Sequence, residues 1–240
     1  RYMKSLGYKV IGTQCNSRYD EFTNFNMLKD RIKDCIDPDF FQTDEEIFGI
    51  ICSAVTPIEK CFLEKEISYK VNVENTIRLI DDMRVLNMMP LFLSSDNVYD
   101  GSRGYYTEED KKTPINEYGR QKLEVEEYFQ SIVPNGIVLR ISKIIGDDPQ
   151  EWHLFSEWYQ LIRRRMPIIC IKGQVFSPTY VDDIARAMHE VFCKHLKGFY
   201  NVANPEFFSR EELARRFLAA LNIGGEIAAK PLEEFGFKDR

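Results

Sequence analysis

Leu91-Phe92-Leu93-Ser94-Ser95-Asp96 and, further along, Tyr118-Gly119-Arg120-Gln121-Lys122 decide how this chain is read. The first is a short apolar run that ends in small hydroxyls, the pattern of a buried strand with a polar carboxyl end. The second follows Pro114-Ile115-Asn116 and lies just inside a helix. In open α/β sheets the carboxyl ends of the strands are where ligands bind, so the hydroxyls of one segment and the helix of the other point to one site.

Outward from this pair the alternation continues. Tyr8–Thr13, Ile47–Val55, Met89–Ser94, Gly136–Ile141 and Phe199–Val202 read as strands. Met27–Ile36, Glu64–Leu86, Glu117–Ser131, Trp152–Arg165, Val181–Lys194 and Arg210–Leu221 carry apolar residues at helical spacing. Strands and helices in turn imply an α/β fold, a mainly parallel doubly wound sheet with helices on both faces. Gly146-Asp147-Asp148-Pro149 is the softest break. It divides a sheet domain, residues 1–146, from a smaller substrate-binding part, residues 147–240, with Val181–Val202 expected to pack back on the sheet.

The chain has 240 residues, 44% hydrophobic and 29% charged, enough to bury a core. Its net charge of -6 argues against a broad nucleic-acid footprint. No apolar run is long enough to cross a bilayer and no signal-peptide pattern opens the chain, so no membrane contact and a cytoplasmic address are expected. Cys15, Cys35, Cys52, Cys61, Cys170 and Cys193 are scattered without zinc-like spacing, which indicates neither a metal site nor a disulfide framework.

Arg1–Gly7 reads as the end of a helix closed by glycine, ahead of the Tyr8–Thr13 strand. In a dinucleotide-binding βαβ unit a strand and a glycine-rich phosphate loop precede such a helix, and both are expected to be missing from this sequence. After the strand comes Gln14-Cys15-Asn16-Ser17-Arg18, with no acid to hold the ribose of NAD(H) and with Arg18 to meet the 2′-phosphate of NADP(H). NADP(H) is therefore preferred over NAD(H).

Tyr118 and Lys122 stand at i, i+4, which places phenol and ammonium on one helix face about 6 Å apart. An ammonium at that distance is expected to draw the phenol below its usual value of about 10 and make it a usable acid near neutrality. With 12 tyrosines in the chain such a pair arises about once by chance, and a surface tyrosine beside a lysine is the bland reading.

The flanking motifs weigh against it. Asn72-x-x-Asn75-Thr76, Ser94-Ser95-Asp96-Asn97-Val98-Tyr99-Asp100-Gly101, Tyr106-x-Glu108-x-Asp110 and Pro114-x-Asn116-x-Tyr118-Gly119-x-x-Lys122-x-x-x-Glu126 occur in order. Leu139-Arg140-Ile141-Ser142-Lys143, Phe176-Ser177-Pro178-Thr179-x-x-x-Asp183-Ile184-Ala185 and Gly198-x-Tyr200-Asn201-Val202 come after them. Together they resemble the extended short-chain dehydrogenase/reductase family, the dTDP-4-dehydrorhamnose reductases in particular, over nearly the whole chain.

The resemblance implies a Rossmann-like fold and NAD(P)H-dependent reduction of a nucleotide-linked 4-keto-6-deoxy sugar. Ser95 would polarise the ketone, Tyr118 would donate the proton, Lys122 would hold the nicotinamide ribose, and Asn72 would either support the group or, as an amide in a helix, simply bond to backbone. Ser94 would lie at the cofactor, and Asp96 beside the sugar. The family usually has threonine at the Ser95 position, a change that keeps the hydroxyl.

Trp152 and His153 stand where family aromatics line the sugar pocket, with core packing equally open. Lys143 belongs to the substrate side. Arg164, within Arg163–Arg165, either neutralises a diphosphate or lies on a solvated helix face.

Other readings stay open. An epimerase holding NAD tightly would use the same groups; a dehydratase would carry a second carboxylate after Asp96, where this chain has Asn97. A regulatory protein similar to the regulatory subunit of methionine adenosyltransferase would keep the fold without turnover. A homodimer is compatible with each.

Overall fold

The computed structural model describes residues 2–15, 19–146, 148 and 153–235. The expectations placed on Arg18 and Trp152 lie outside these residues. The fold is α/β with a parallel, Rossmann-like sheet. Two compact units divide it: Arg1–Arg140 with His189–Asn201, and Ile141–Met188 with Val202–Lys238.

The first unit is built on a four-stranded sheet in the order Gly198–Val202, Ile137–Ile141, Met88–Ser95, Ile47–Ile51. Ile47–Ile51 pairs in parallel with Met88–Ser95, Ile47 opposite Met88 and Ile51 opposite Phe92. All five residues of Ile137–Ile141 are buried, as befits a strand with neighbours on both edges. The helices Asn75–Val85 and Glu117–Ile132 pack on Met88–Ser95. Ile80, Phe92, Val125, Phe129 and Val138 close the core between them.

Several expected elements are shorter, each for a local reason. Of Tyr8–Thr13 only Thr13–Gln14 forms a ladder, parallel to Thr23–Asn24. Tyr8, Val10 and Ile11 instead line a groove of about 590 Å³ facing Ile47, Phe48 and Ile50, which leaves them no strand to pair with. Met27–Ile36 narrows to a helix over Ile32–Cys35. Upstream, Asn26 Oδ1 accepts from the Leu28 amide at 3.0 Å and Asp30 Oδ2 from the Asn26 amide at 2.7 Å, so side chains hold a turn in place of a helix.

Glu64–Leu86 is interrupted. Lys65–Tyr69 is α-helical, Lys70–Glu74 widens to a π-helical turn, and Asn75–Val85 resumes the α-helix. Asn75 Nδ2 and Thr76 Oγ1 donate to the carbonyls of Lys70 and Val71, at 2.6 and 3.0 Å, and so take up carbonyls at the widened turn.

In the second unit the helix Leu154–Arg163 starts behind a reciprocal cap in which His153 and Ser156 bond each other's backbone. Ile168–Ile171 pairs in parallel with Ile227–Lys230, a ladder not expected from the sequence. Leu154, Trp158, Ile168, Cys170, Leu213, Ala214 and Leu218 form this unit's own core.

Inside the first unit lies an ion pair. Arg140 and Glu126 side chains are each 2% exposed and meet at 2.7 Å. Ser94 Oγ donates to Glu126 Oε1 at 2.5 Å, and Arg140 donates to the Tyr99 hydroxyl at 2.8 Å. The pair's worth lies in its completeness, because a buried charge left alone is costly. Glu126→Leu is therefore expected to cost about 3–5 kcal/mol in urea unfolding. Glu126→Leu with Arg140→Met should recover most of that loss; a double variant as unstable as the single one would refute this account.

Candidate active site

The Met88–Ser95 strand delivers Ser94 and Ser95 to its carboxyl end, where a 3-10 turn, Asp96–Val98, begins. Ser95 Oγ accepts from the Asn97 backbone N–H at 3.2 Å and from Asn97 Nδ2 at 3.0 Å. It also lies 3.1 Å from Asp96 Oδ1, an acceptor for its proton.

The Glu117–Ile132 helix starts beside this turn. Asn116 caps it by accepting from the Gly119 amide at 2.8 Å and reaches across to donate to Asn97 Oδ1 at 3.0 Å. Helix and turn touch backbone to backbone, since a Cβ on Gly119 would stand 2.1 Å from the Asn97 carbonyl oxygen. Only glycine allows the approach.

This contact puts Tyr118 within hydrogen-bonding reach of the Ser95 hydroxyl. Lys122, 4% exposed, stands one turn later. Its ammonium donates to the Leu93 carbonyl at 2.8 Å, lies 4.5 Å from the Phe92 ring centre and 5.7 Å from that of Tyr118. The three groups foreseen as a set are thus brought together.

Their electrostatics differ from expectation. Lys122 does not draw the Tyr118 phenol down. Burial pushes the phenol above its ordinary value, the negative potentials of Cys61 and Asp96 add to the rise, and the hydrogen bond with Ser95 alone opposes it. The ammonium is turned to the Leu93 carbonyl, and burial lowers its own pKa to about 8 against the pull of Cys52, Glu126 and Cys61. Burial in one dry pocket disfavours the charged form of both groups, though at about 8 the Lys122 amine stays mostly charged at neutral pH.

Asn72 is 1% exposed, on the π-helical turn. Its Oδ1 accepts from the Val55 amide at 2.7 Å, while its Nδ2 donates to the Val55 carbonyl at 2.9 Å and to Gln121 Oε1 at 2.8 Å. Gln121 in turn donates to Ser68 Oγ at 3.0 Å. Asn72 therefore ties the segment after Ile47–Ile51 to the Tyr118 helix through a buried amide pair. Ser94, expected at the cofactor, donates its hydroxyl proton to Glu126. Asp96 is exposed beside Ser95.

Lys143 and Arg164 belong to the second unit, both exposed. The Lys143 carbonyl accepts from the Thr179 amide at 2.8 Å, and Arg164 ends the Leu154–Arg163 helix. Gln121, Asn97 and Asn116 carry much of the site's hydrogen bonding, yet as lone amides they show no periodicity or charge pattern by which to assign them. Among the described residues no group of three His, Cys, Asp or Glu side chains is arranged to hold a metal, and no helix is long and apolar enough to cross a membrane.

A parallel α/β sheet with a hydroxyl at a strand tip, facing a tyrosine and a lysine one turn apart, is the architecture of a Rossmann-like, short-chain dehydrogenase/reductase-type protein. The chain belongs to the family described as the RmlD substrate binding domain, whose model matches residues 33–238.

It is similar to the probable low-salt glycan biosynthesis reductase Agl14 of Haloferax volcanii, 25% identical over 183 residues, which cover 74% of this chain and 60% of that protein. It is also similar to methionine adenosyltransferase 2 subunit beta of Rattus norvegicus, 26% identical over 161 residues, 64% of this chain and 48% of that protein. The chain thus spans less than two thirds of either relative's length. Among solved structures it resembles the dTDP-4-dehydrorhamnose reductase of Bacillus anthracis in complex with NADP, with a TM-score of 0.74 and 25% identity over 80% of this chain and 68% of that one.

The close contact and the buried ammonium can each be measured. Gly119→Ala must force the helix from the turn, so it is expected to cost about 1–3 kcal/mol in thermal or urea unfolding; an unchanged midpoint would show that the contact relaxes freely. Lys122 releases its proton near pH 8 when folded but only near 10.5 when unfolded. Between those values this site binds more protons in the unfolded chain, so the Lys122 contribution to stability rises with pH from about 8 to 10, while the raised thiols of Cys35, Cys52 and Cys170 and the raised Tyr118 phenol act with the opposite sign. Unfolding midpoints measured at intervals across that window should climb for the wild type relative to Lys122→Met, and a constant difference between the two would refute the shift.

Proposed function

We propose that this protein reduces a nucleotide-linked 4-keto-6-deoxy sugar with NAD(P)H, NADP(H) being preferred, and that Tyr118 is the proton donor. The observation that carries the reading is the meeting of the Ser95 hydroxyl, the Tyr118 phenol and the buried Lys122 ammonium at the carboxyl end of a sheet strand. The similarity to a probable reductase and to an NADP-bound reductase structure supports it.

Ser95 and Tyr118 both offer O–H groups to a carbonyl oxygen. The raised pKa of Tyr118 keeps the phenol protonated at neutral pH, the form a donor needs. As the carbonyl oxygen gains charge, the phenol passes its proton to it, and the Ser95 hydroxyl holds that oxygen in place. When bound, a reduced nicotinamide supplies the hydride to the carbonyl carbon.

The residues present fit a dinucleotide's ribose. Lys122 spends one of its three N–H groups on the Leu93 carbonyl and keeps the others for hydroxyl oxygens at the strand ends. Once paired there, its charge favours the phenolate that proton transfer leaves behind. Asn72, through Val55 and Gln121, holds the floor of the site.

A regulatory role without turnover is the second reading, favoured by the similarity to methionine adenosyltransferase 2 subunit beta. One assay separates the two. Protein given NADPH and a dTDP-4-keto-6-deoxy sugar should consume the reduced nicotinamide absorbance, and Tyr118→Phe should lower kcat on the order of 10²–10⁴-fold. A folded wild type silent toward a panel of such sugars, yet co-purifying with a larger enzyme, would favour the regulatory reading. Full activity in Tyr118→Phe would remove the phenol from the mechanism.

A further inference from the structure

The direction of a hydrogen-bonded chain is set wherever one member can play only one part. The backbone N–H of Gly119 is such a member, since it can only donate. Its partner at 2.8 Å must be the oxygen of the Asn116 amide, which turns Asn116 Nδ2 toward Asn97. That nitrogen donates to the Asn97 oxygen at 3.0 Å, and so Asn97 Nδ2 faces Ser95 Oγ at 3.0 Å. The second hydrogen of the same Nδ2 meets Asp96 Oδ1 at 3.2 Å, and the Asn97 backbone N–H reaches Ser95 Oγ at 3.2 Å.

Ser95 Oγ thereby accepts twice and has both lone pairs engaged. Its one proton is left for Asp96 Oδ1, at 3.1 Å, and for the Tyr118 phenol.

We propose that Asn97 is a positioning residue that holds the Ser95 hydroxyl as an obligate donor, its proton shared between Asp96 Oδ1 and the phenol oxygen and, with ligand present, given to a carbonyl oxygen. The proposal deepens the reductase reading and rests on it only for the identity of that second oxygen. The Gly119 amide is taken up by the Asn116 side chain; relayed through two asparagines, it fixes which way a hydroxyl outside the helix can act. Without the relay Ser95 is free to accept from a ligand hydroxyl as readily as it donates to a ligand carbonyl, and discrimination between alcohol and ketone weakens.

The test inverts one member without changing its shape. In Asn97→Asp the new carboxylate accepts where Nδ2 donated, and captures the Ser95 proton. Asn116→Asp is the companion: it keeps an oxygen for the Gly119 amide and a good helix cap, but removes the donor that orients Asn97. Tyrosine labelled with carbon-13 at Cζ reports the hydrogen bond accepted by the Tyr118 phenol at neutral pH, its resonance identified by loss in Tyr118→Phe.

Both variants are expected to move that resonance in the direction taken by Ser95→Ala. In Asn97→Asp the shift should reverse on acidification, above the ordinary carboxyl value of about 3.9 because Asp96 lies alongside. In turnover, Asn97→Asp should lose about 10–100-fold in kcat, the size of a hydrogen bond to a reacting oxygen, with KM nearly unchanged and the rate recovering as pH falls. A loss of packing alone lowers the unfolding midpoint but produces no such reversal.

A resonance that stays at its wild-type position in both variants overturns the proposal. If the resonance moves as described while the wild type reduces no keto sugar, the relay stands and the reductase reading falls.

Discussion

The first turn of the Glu117–Ile132 helix lies against the Asp96–Val98 turn with no side chain between them, and the rest of the site depends on that contact. Gly119 permits it, and Asn116 and Asn97 bond across it. Tyr118 and Lys122 inherit their positions from the helix, and Ser95 inherits its position from the strand. The contact converts two separate elements of the sheet unit into one rigid array of polar groups.

Keeping that array dry has a cost, visible in the direction of each shift. The phenol is pushed toward its neutral form and the ammonium is brought near its midpoint, while Glu126 and Arg140 survive as charges by meeting each other completely. Ser94 and Tyr99 complete that pair's hydrogen bonds. Neighbouring serines thus have different partners, Ser94 the buried Glu126 and Ser95 the Asp96–Val98 turn. Strand alternation explains the division, because successive side chains leave a strand on opposite faces.

Much of this is legible in the chain. Met88–Ser95, Ile137–Ile141 and Arg210–Leu221 lie within a residue of their expected bounds, because apolar runs and caps mark them locally. The Ser95, Tyr118 and Lys122 set comes from motif order. Tyr8–Thr13 is harder, since a strand needs a partner as well as a pattern, and Met27–Ile36 is lost to Asx-type bonds that compete with a helix. The expectation of a lowered tyrosine fails because spacing gives separation and says nothing of burial. Asn97 and Gln121 are silent for a related reason: an amide's part is decided by partners distant in sequence.

The π-helical turn at Lys70–Glu74 has a consequence for how the two halves of its helix are set. An α-helix advances about 100° per residue, so one residue of slack rotates the downstream half by roughly that angle. Lys65–Tyr69 and Asn75–Val85 thereby present faces chosen independently, the one toward the Cys61 segment and the other toward the sheet. Asn72 occupies the hinge of that phase shift. Removing any one residue from the turn would restore a regular spiral and swing its amide off Val55, a far larger disturbance than most single substitutions in the same stretch would bring.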